Sequence, residues 1–402
     1  VTPCRGCGHE TEEVLDLGLH RLPDFTLPGD LTGQSWPLRL VHCPACTLLQ
    51  LADTTPRSVL YHERYGFRSG VNEAIRADLA DVVRYALAAQ PGARSWLDIA
   101  CNDGTLLGSV PAGIHRTGID PLAHLAAEAM QHADVVISDY FRPEYFLEPF
   151  DVITSVSMFY DLDDPAGLAR GVASALAPDG AWVIQQNYAA AMLERNAVDN
   201  ICHEHVTYFS VTSLLPVLAA AGLEITDVGY SDVNGGCFRT LASHRGERPV
   251  QASVEHALAA ERAMGLGDPA TWTAWGQAVL GELAKTRRLL DDASAAGERV
   301  MVYGASTRGG TILQAIGAGP ALIEAAVERQ PAKVGKVMAA AGIPIISEEQ
   351  MRADPPQWLL VSPWFFRDVF LDRERAYLEA GGRMVFPLPR FEVVGAMRAM
   401  VP

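Results

Sequence analysis

Apolar and polar positions change rhythm several times along the chain. Over residues 72–89, Ile75, Leu79, Val82, Val83, Ala86 and Leu87 recur at helical spacing, with Arg76, Asp78, Asp81 and Arg84 between them. That pattern predicts an amphipathic helix, which Pro91-Gly92 stops. Apolar runs follow at 96–99, before Gly118-Ile119-Asp120-Pro121, at 135–140, at 150–158, and at 181–187 after Pro178-Asp179-Gly180. Each reads as a strand, and the run at 150–158 as one buried in a parallel sheet. A further strand is expected near 223–230, followed by Asn234-Gly235-Gly236. From about 268 to 296 a long helix is expected, with Trp275, Val279 and Leu283 four apart and Gly297 at its end. Then a strand at 299–303 enters Gly304-Ala305-Ser306-Thr307-Arg308-Gly309-Gly310 and a helix to about Ala318. The next strand ends at Glu328, and a later one at 358–361 runs into Ser362-Pro363-Trp364.

Strand–turn–helix order of this kind predicts an α/β chain built on doubly wound sheets. Composition agrees with a soluble globular protein of two or three domains: 402 residues, 49% hydrophobic and 20% charged. A formal net charge of −16 argues against a nucleic-acid partner, which needs a basic footprint, and against docking on anionic membranes. No stretch reaches the roughly 18 apolar residues of a membrane span. The first residues carry cysteines where a secretory leader has a basic and then an apolar region, so a cytoplasmic location is expected.

Four of the seven cysteines form two Cys-x-x-Cys pairs, Cys4-Arg5-Gly6-Cys7 and Cys43-Pro44-Ala45-Cys46. Two such knuckles complete a four-sulfur tetrahedron, the closed arrangement of structural zinc. A redox pair needs no second pair. Leu15, Leu17, Leu22 and Phe25 are too few for an independent core, so the metal is expected to stabilise a module over 1–70. His42 is expected beside the site and not on the ion.

The central turn is Trp96-Leu97-Asp98-Ile99-Ala100-Cys101-Asn102-Asp103-Gly104, where a strand ends, a helix is expected to follow, and ligands bind beyond the strand. Asp98 suits the ammonium of S-adenosylmethionine. Ala100, Asn102, Asp103 and Gly104 let backbone approach the ligand closely. Asp120, with Pro121, occupies the ribose-hydroxyl position roughly 20 residues on. Asp139 and Tyr140 suit adenine, and Ser157 lies near the end of the fourth strand. The turn lacks Gly-x-Gly-x-x-Gly, which disfavours a dinucleotide-dependent dehydrogenase. An unliganded sheet is the other alternative.

The segment Ile201-Cys202-His203-Glu204-His205-Val206-Thr207-Tyr208-Phe209 lacks the His-Glu-x-x-His spacing of a helical zinc site. If it is extended, His203 and His205 face the same side. Metal binding and a structural role stay open beside catalysis.

These motifs, taken with Tyr65-Gly66-Phe67-Arg68-Ser69-Gly70, resemble the nucleotide-sugar C-methyltransferases of deoxysugar biosynthesis. The knuckles, the Ala100–Gly104 turn, the His-Glu-His segment, Asn234-Gly235-Gly236, the Gly304–Gly309 turn and Ser362-Pro363-Trp364 occur in the family's order along essentially the whole chain. The resemblance implies a zinc-binding module (1–70), a class I S-adenosylmethionine domain (71–240) and a Rossmann-like domain for the substrate nucleotide (241–402). It implies a nucleotide-diphosphate sugar as partner, usually a dTDP-linked 4-keto-6-deoxy sugar, methylated beside the ketone in antibiotic or deoxysugar biosynthesis. It implies His205 as base with Glu204 beside it, and a lid holding Tyr65, Phe67 and Arg68. Phe67 stands where the family often has a second tyrosine.

The chemistry is consistent with that transfer. A carbon nucleophile must lose a proton alpha to a carbonyl, which needs a base and donors to the enolate oxygen. Histidine titrates near neutral pH, and Tyr208 suits a donor to substrate. For Asn234, Gly235 and Gly236 a hairpin turn and a substrate-channel position are both expected. Amides of Gly304, Ala305, Ser306 and Thr307 suit a diphosphate. Arg308 adds positive charge where many relatives carry lysine. Glu328 suits the substrate ribose, and Trp364 suits a nucleotide wall or a core position. A packing turn and a nicotinamide site are the alternatives for this domain. For the whole chain they are O- or N-methylation of a related sugar or natural product, or a non-enzymatic binding protein. Monomer and homodimer are both compatible with the sequence.

Overall fold

In the computed structural model, which describes residues 2–22, 24–29, 34–60 and 68–395, the apolar runs of the central region pair into one seven-stranded sheet. Its strands are β1 (Ser95–Ile99), β2 (His115–Ile119), β3 (Val135–Ile137), β4 (Phe150–Val156), β5 (Leu176–Asn187), β6 (Leu223–Ser231) and β7 (Cys237–His244). The order across the sheet is β3-β2-β1-β4-β5-β7-β6. All neighbours are parallel except β7, which runs antiparallel to both β5 and β6. The order reverses at β1, so the Asp98 turn lies at the switch point where doubly wound sheets bind ligands.

Helix α1 (Glu73–Ala89) packs Leu79, Val82, Val83 and Ala86 into a core with Trp96, Val152, Val183 and Leu241. Asn72 caps it by accepting from Ala74 N at 2.9 Å. Two expectations differ from the structure here. Pro178-Asp179-Gly180 lies inside β5, which starts where helix α2 (Pro165–Ala175) ends. No α-helix follows Gly104: the chain makes turns and a three-residue 3-10 stretch at Leu107–Ser109. Gly108, Pro111 and Gly113 leave too little chain there for an α-helix.

This sheet belongs to a compact unit made of Val1–Glu12, Val41–Ala191 and Glu204–Pro269. The same unit holds helices α3 (Val211–Ala219) and α4 (Ala252–Met264) and both cysteine knuckles. The second unit is Glu13–Leu40, Met192–His203 and Ala270–Pro402. Long helix α5 (Pro269–Ala295) buries Trp272, Trp275, Val279 and Leu283, and Gly297 ends it with φ 68°. The unit's parallel strands are β8 (Val300–Tyr303), β9 (Ala325–Glu328), β10 (Ile343–Ser347), β11 (Trp358–Val361) and β12 (Arg383–Phe386), in the order β12-β11-β8-β9-β10. This order also reverses at its first strand, which places the Gly304 turn at a second switch point. No described helix is long and apolar enough to cross a membrane.

Candidate functional site

Asp98 is the side chain on which the central turn is built. It is 3% exposed, and Thr154 Oγ1 donates to its Oδ1 at 2.6 Å. Burial pushes its carboxyl up to about 7 against that bond, with the charge of Asp120 adding to the rise. Ala100 and Asn102 both take left-handed backbone, with φ 62° and 52°, which folds the turn back over the strand end. Asn102 N and Leu122 N each donate to Asp120 at 2.8 Å. Burial raises the Asp120 carboxyl as well.

Asp98, Ala100, Asn102, Asp120, Pro121, Asp139, Tyr140 and Ser157 all line one cavity of about 390 Å³, within the range of small-ligand sites. Asp103 and Gly104 are not among its lining residues. Asp103 accepts from Thr105 Oγ1 at 2.6 Å and Gly70 N at 2.8 Å. A Cβ on Gly104 would lie 2.8 Å from Ala129 Cα, so this glycine serves close backbone packing. The Asp139 carboxylate accepts from the Tyr145 hydroxyl and from Tyr140 N, and both bonds hold its pKa below the usual range.

The lining contains six aspartates (Asp78, Asp98, Asp120, Asp139, Asp161 and Asp164) and one basic side chain, Arg57. A low-dielectric cavity with that balance favours a cationic ligand and repels a pyrophosphate. S-adenosylmethionine, with its sulfonium and ammonium, fits; a dinucleotide fits poorly.

The four thiols of Cys4, Cys7, Cys43 and Cys46 lie within 4.8 Å of one another, with Cys4–Cys46 and Cys7–Cys43 at 3.5 Å. A zinc–sulfur tetrahedron needs sulfurs about 3.8 Å apart, so the donor set fits that ion. Gly6 N points at Cys4 Sγ from 3.3 Å. His42 is fully buried and its Nε2 contacts the Leu266 carbonyl. Among the described residues no other group of three or more His, Cys, Asp or Glu side chains converges in this way, and the His-Glu-His segment is not such a group.

After the second knuckle, strand Leu49–Leu51 pairs with Thr207–Tyr208, and Leu51 N donates to Val206 O at 2.9 Å. The knuckle is thereby tied to the segment carrying Glu204 and His205. The His205 ring stands edge-on to Tyr160, 4.5 Å between centroids, and Thr207 Oγ1 donates to Tyr160 O. Tyr160 lies between the cavity-lining residues Met158 and Asp161, although His205 does not itself line the cavity.

The segment turns at His203–Glu204, contrary to the extended form in which both histidines face one side. His203 is 2% exposed, its Nε2 contacts Trp36 O at 3.3 Å, and burial pulls its pKa down to about 4. Tyr208 is 2% exposed. Asn234 lines the cavity, and it forms with Gly235 and Gly236, all at positive φ, the turn between β6 and β7. Arg68 pairs with Glu128. Tyr65 and Phe67 lie outside the described residues.

In the second unit Gly304 has φ 95°, and a Cβ there would lie 2.6 Å from Pro363. Ala305 is buried. Ser306 caps the helix α6 (Thr307–Ala315) by accepting from Gly309 N at 2.9 Å. Arg308 bonds Asp199 at 2.8 Å, and Asp199 is fully buried. Its charge is committed to a carboxylate 109 residues away in sequence, which no local pattern announces. Lys333 also stands beside the turn, donating to Ala305 O at 2.9 Å and lying 3.4 Å from Glu328. Trp364 is 5% exposed.

Three families match in succession: "Putative zinc binding domain" over residues 4–61, "Methyltransferase domain" over 71–228, and "C-methyltransferase C-terminal domain" over 232–389. The C-methyltransferase NovU of Streptomyces niveus is 29% identical over 415 residues, which cover 98% of this chain and 97% of the relative. Among solved structures, the mitomycin 7-O-methyltransferase MmcR is 20% identical at TM-score 0.35, over 42% of this chain and 53% of that one. The N-methyltransferase NodS from Bradyrhizobium japonicum WM9 is 16% identical at TM-score 0.35, over 43% and 98%.

Proposed function

Because the chain is an S-adenosylmethionine-dependent C-methyltransferase with a zinc-binding N-terminal part, we propose that its acceptor is a nucleotide-linked keto-deoxysugar methylated on the carbon beside the ketone. The observation that carries this reading is the place of His205. Its imidazole is half-buried against Tyr160, in the short stretch that lines the donor cavity. A C–H carbon becomes a nucleophile by losing a proton, and a ketone makes that loss accessible near neutral pH.

In this reading His205 takes the alpha proton, and Glu204 is the adjacent carboxylate. The carbonyl oxygen, charged in the enolate, requires donors aimed at it. The bound donor supplies a methyl group to the carbon, and the electron pair of the broken bond stays on its sulfur. His203, bonded to a backbone carbonyl and neutral at pH 7, holds the approach to this stretch. The Asp98 side of the cavity binds and orients the donor. In this reading a diphosphate sits at the second switch point against the turn between Gly304 and Gly309, whose own amides are taken by Val327 O and Ser306 Oγ, with Lys333 beside it.

Proton exchange tests the reading without methyl transfer. In deuterated water with S-adenosylhomocysteine, the chain is expected to label the alpha carbon of a dTDP-4-keto-6-deoxysugar. His205→Ala is expected to slow that exchange by about 10²–10⁴-fold while binding S-adenosylhomocysteine normally. Wild-type rates from the variant would remove His205 from the mechanism. A product methylated on oxygen or nitrogen would replace the acceptor chemistry.

A further inference from the structure

Asp78 lies three positions after Ile75 and four before Val82, so it falls on the buried stripe of α1, and it lines the donor cavity beside Ile75 and Leu79. Its carboxylate is held from three sides. Gln185 Nε2 donates to Oδ2 at 2.5 Å, Ser231 Oγ donates to Oδ1 at 2.6 Å, and Arg239 Nη2 stands 3.7 Å from Oδ1. Arg239 is itself fixed. Its Nε donates to Gln185 Oε1 at 2.8 Å, its Nη1 to Asp81 at 2.9 Å, and its guanidinium lies 5.2 Å over the Tyr85 ring. Elements α1, β5, β6 and β7 thus preset the direction of this carboxylate.

Strand register places Asp78 along the cavity. Asp98 pairs with Thr154, and Thr154 with Val183. Gln185 is two residues beyond Val183, on the same sheet face and nearer the strand's C-terminal end. Asp78 therefore stands over β5, towards β7 and β6, on the side of the sheet away from Asp120 and Asp139. With ribose at Asp120 and adenine towards Asp139, the amino-acid end of the donor points to Asp78.

We infer that Asp78 is a donor-binding residue, whose carboxylate accepts from the α-ammonium at the methionyl end of S-adenosylmethionine. Ser231 and Arg239 lie against Oδ1, while Gln185 occupies one acceptor position on Oδ2 and leaves that oxygen's second position for the ligand. The bond to an ammonium is charge-assisted and so among the stronger ones. The inference rests on this cavity being the donor site.

Calorimetry on the full chain separates the two halves of the ligand. S-adenosylhomocysteine keeps the amino-acid end and methylthioadenosine lacks it. Asp78→Asn is expected to weaken S-adenosylhomocysteine by about 10- to 100-fold and to leave methylthioadenosine unchanged, which also shows that the variant has folded. Ser231→Ala keeps the charge but loosens it, and is expected to weaken S-adenosylhomocysteine alone by about threefold. Should Asp78→Asn fail to fold, Ser231→Ala carries the same comparison. Equal losses for both ligands, or no loss for either, overturn the inference. Wild-type chain that bound neither ligand would overturn the donor-site reading and the inference with it.

Discussion

A carboxylate sealed into a cavity wall, as Asp98 is, keeps its proton well above the usual carboxylate range until a cation arrives. Its ordinary value is 3.8 and its folded value about 7. Between those values the folded chain binds a proton that the unfolded chain has released. The stabilisation is therefore complete below about pH 4 and lost as pH rises through 7. Above pH 7 the ligand-free chain holds a buried, uncompensated charge. Asp98→Asn keeps the Thr154 bond and removes that charge, so at pH 8 its ligand-free Tm is expected to exceed wild type by about 3–6 °C. Wild-type affinity for S-adenosylhomocysteine is expected to rise from pH 6 to pH 8 as the carboxyl ionises, and the variant to lose that dependence. Thermal shift and calorimetry at three pH values measure both, and a variant less stable than wild type at pH 8 contradicts the argument. Asp98 and Asp120 are legible in sequence because each ends a strand at a turn. Asp78 has a signal too, a charge on an apolar helical stripe, but spacing alone does not separate it from the exposed acids around it.

Among the elements, the knuckles act through the strand that leaves them. Cys43 N donates to Leu48 O at 2.9 Å, and strand Leu49–Leu51 then pairs with Thr207–Tyr208 just after His205. Removing the metal by chelation, or changing Cys43 to Ser, is expected to lower turnover by about tenfold or more while S-adenosylhomocysteine affinity changes less than about threefold. Metal analysis alongside both assays checks it; full turnover with no metal bound would end the structural-zinc reading. The knuckles themselves are legible because cysteine spacing is local. The pairing of Leu49–Leu51 with Thr207–Tyr208 is not, because it joins segments more than 150 residues apart. The turn at His203–Glu204 escaped the alternation rule because that rule presumes a strand, and the segment is one only from Thr207 onward.

At the scale of the whole molecule, the chain divides into two units, each with a large sheet and a switch point of its own. A Cβ at Gly309 would lie 2.5 Å from Ser362 Oγ and 2.8 Å from Ser362 Cβ. Gly309→Ala is therefore expected to push the Gly304–Gly309 turn and Ser362 apart, raising the acceptor KM by about tenfold with S-adenosylhomocysteine affinity unchanged. Steady-state kinetics with calorimetry decides it, since an equal loss of donor affinity would deny that the turn acts separately. Most strands of the two large sheets were legible as apolar runs, because a strand buried on both faces must be apolar throughout, whereas Cys237–His244, Ile343–Ser347 and Arg383–Phe386 were not read from the sequence. The zinc knuckles and both glycine turns were legible because their chemistry is written in neighbouring residues. The sequence by itself therefore determined most of the parallel strands, the paired cysteines of the zinc-binding part and the class of donor. Tertiary structure alone decided that Arg308 is committed to Asp199, that Lys333 stands at the second turn, and that Asp78 lines the cavity between Gln185 and Ser231. Those are matters of charge pairing and burial between distant segments, and a side chain's partners are set by where the folded backbone brings them.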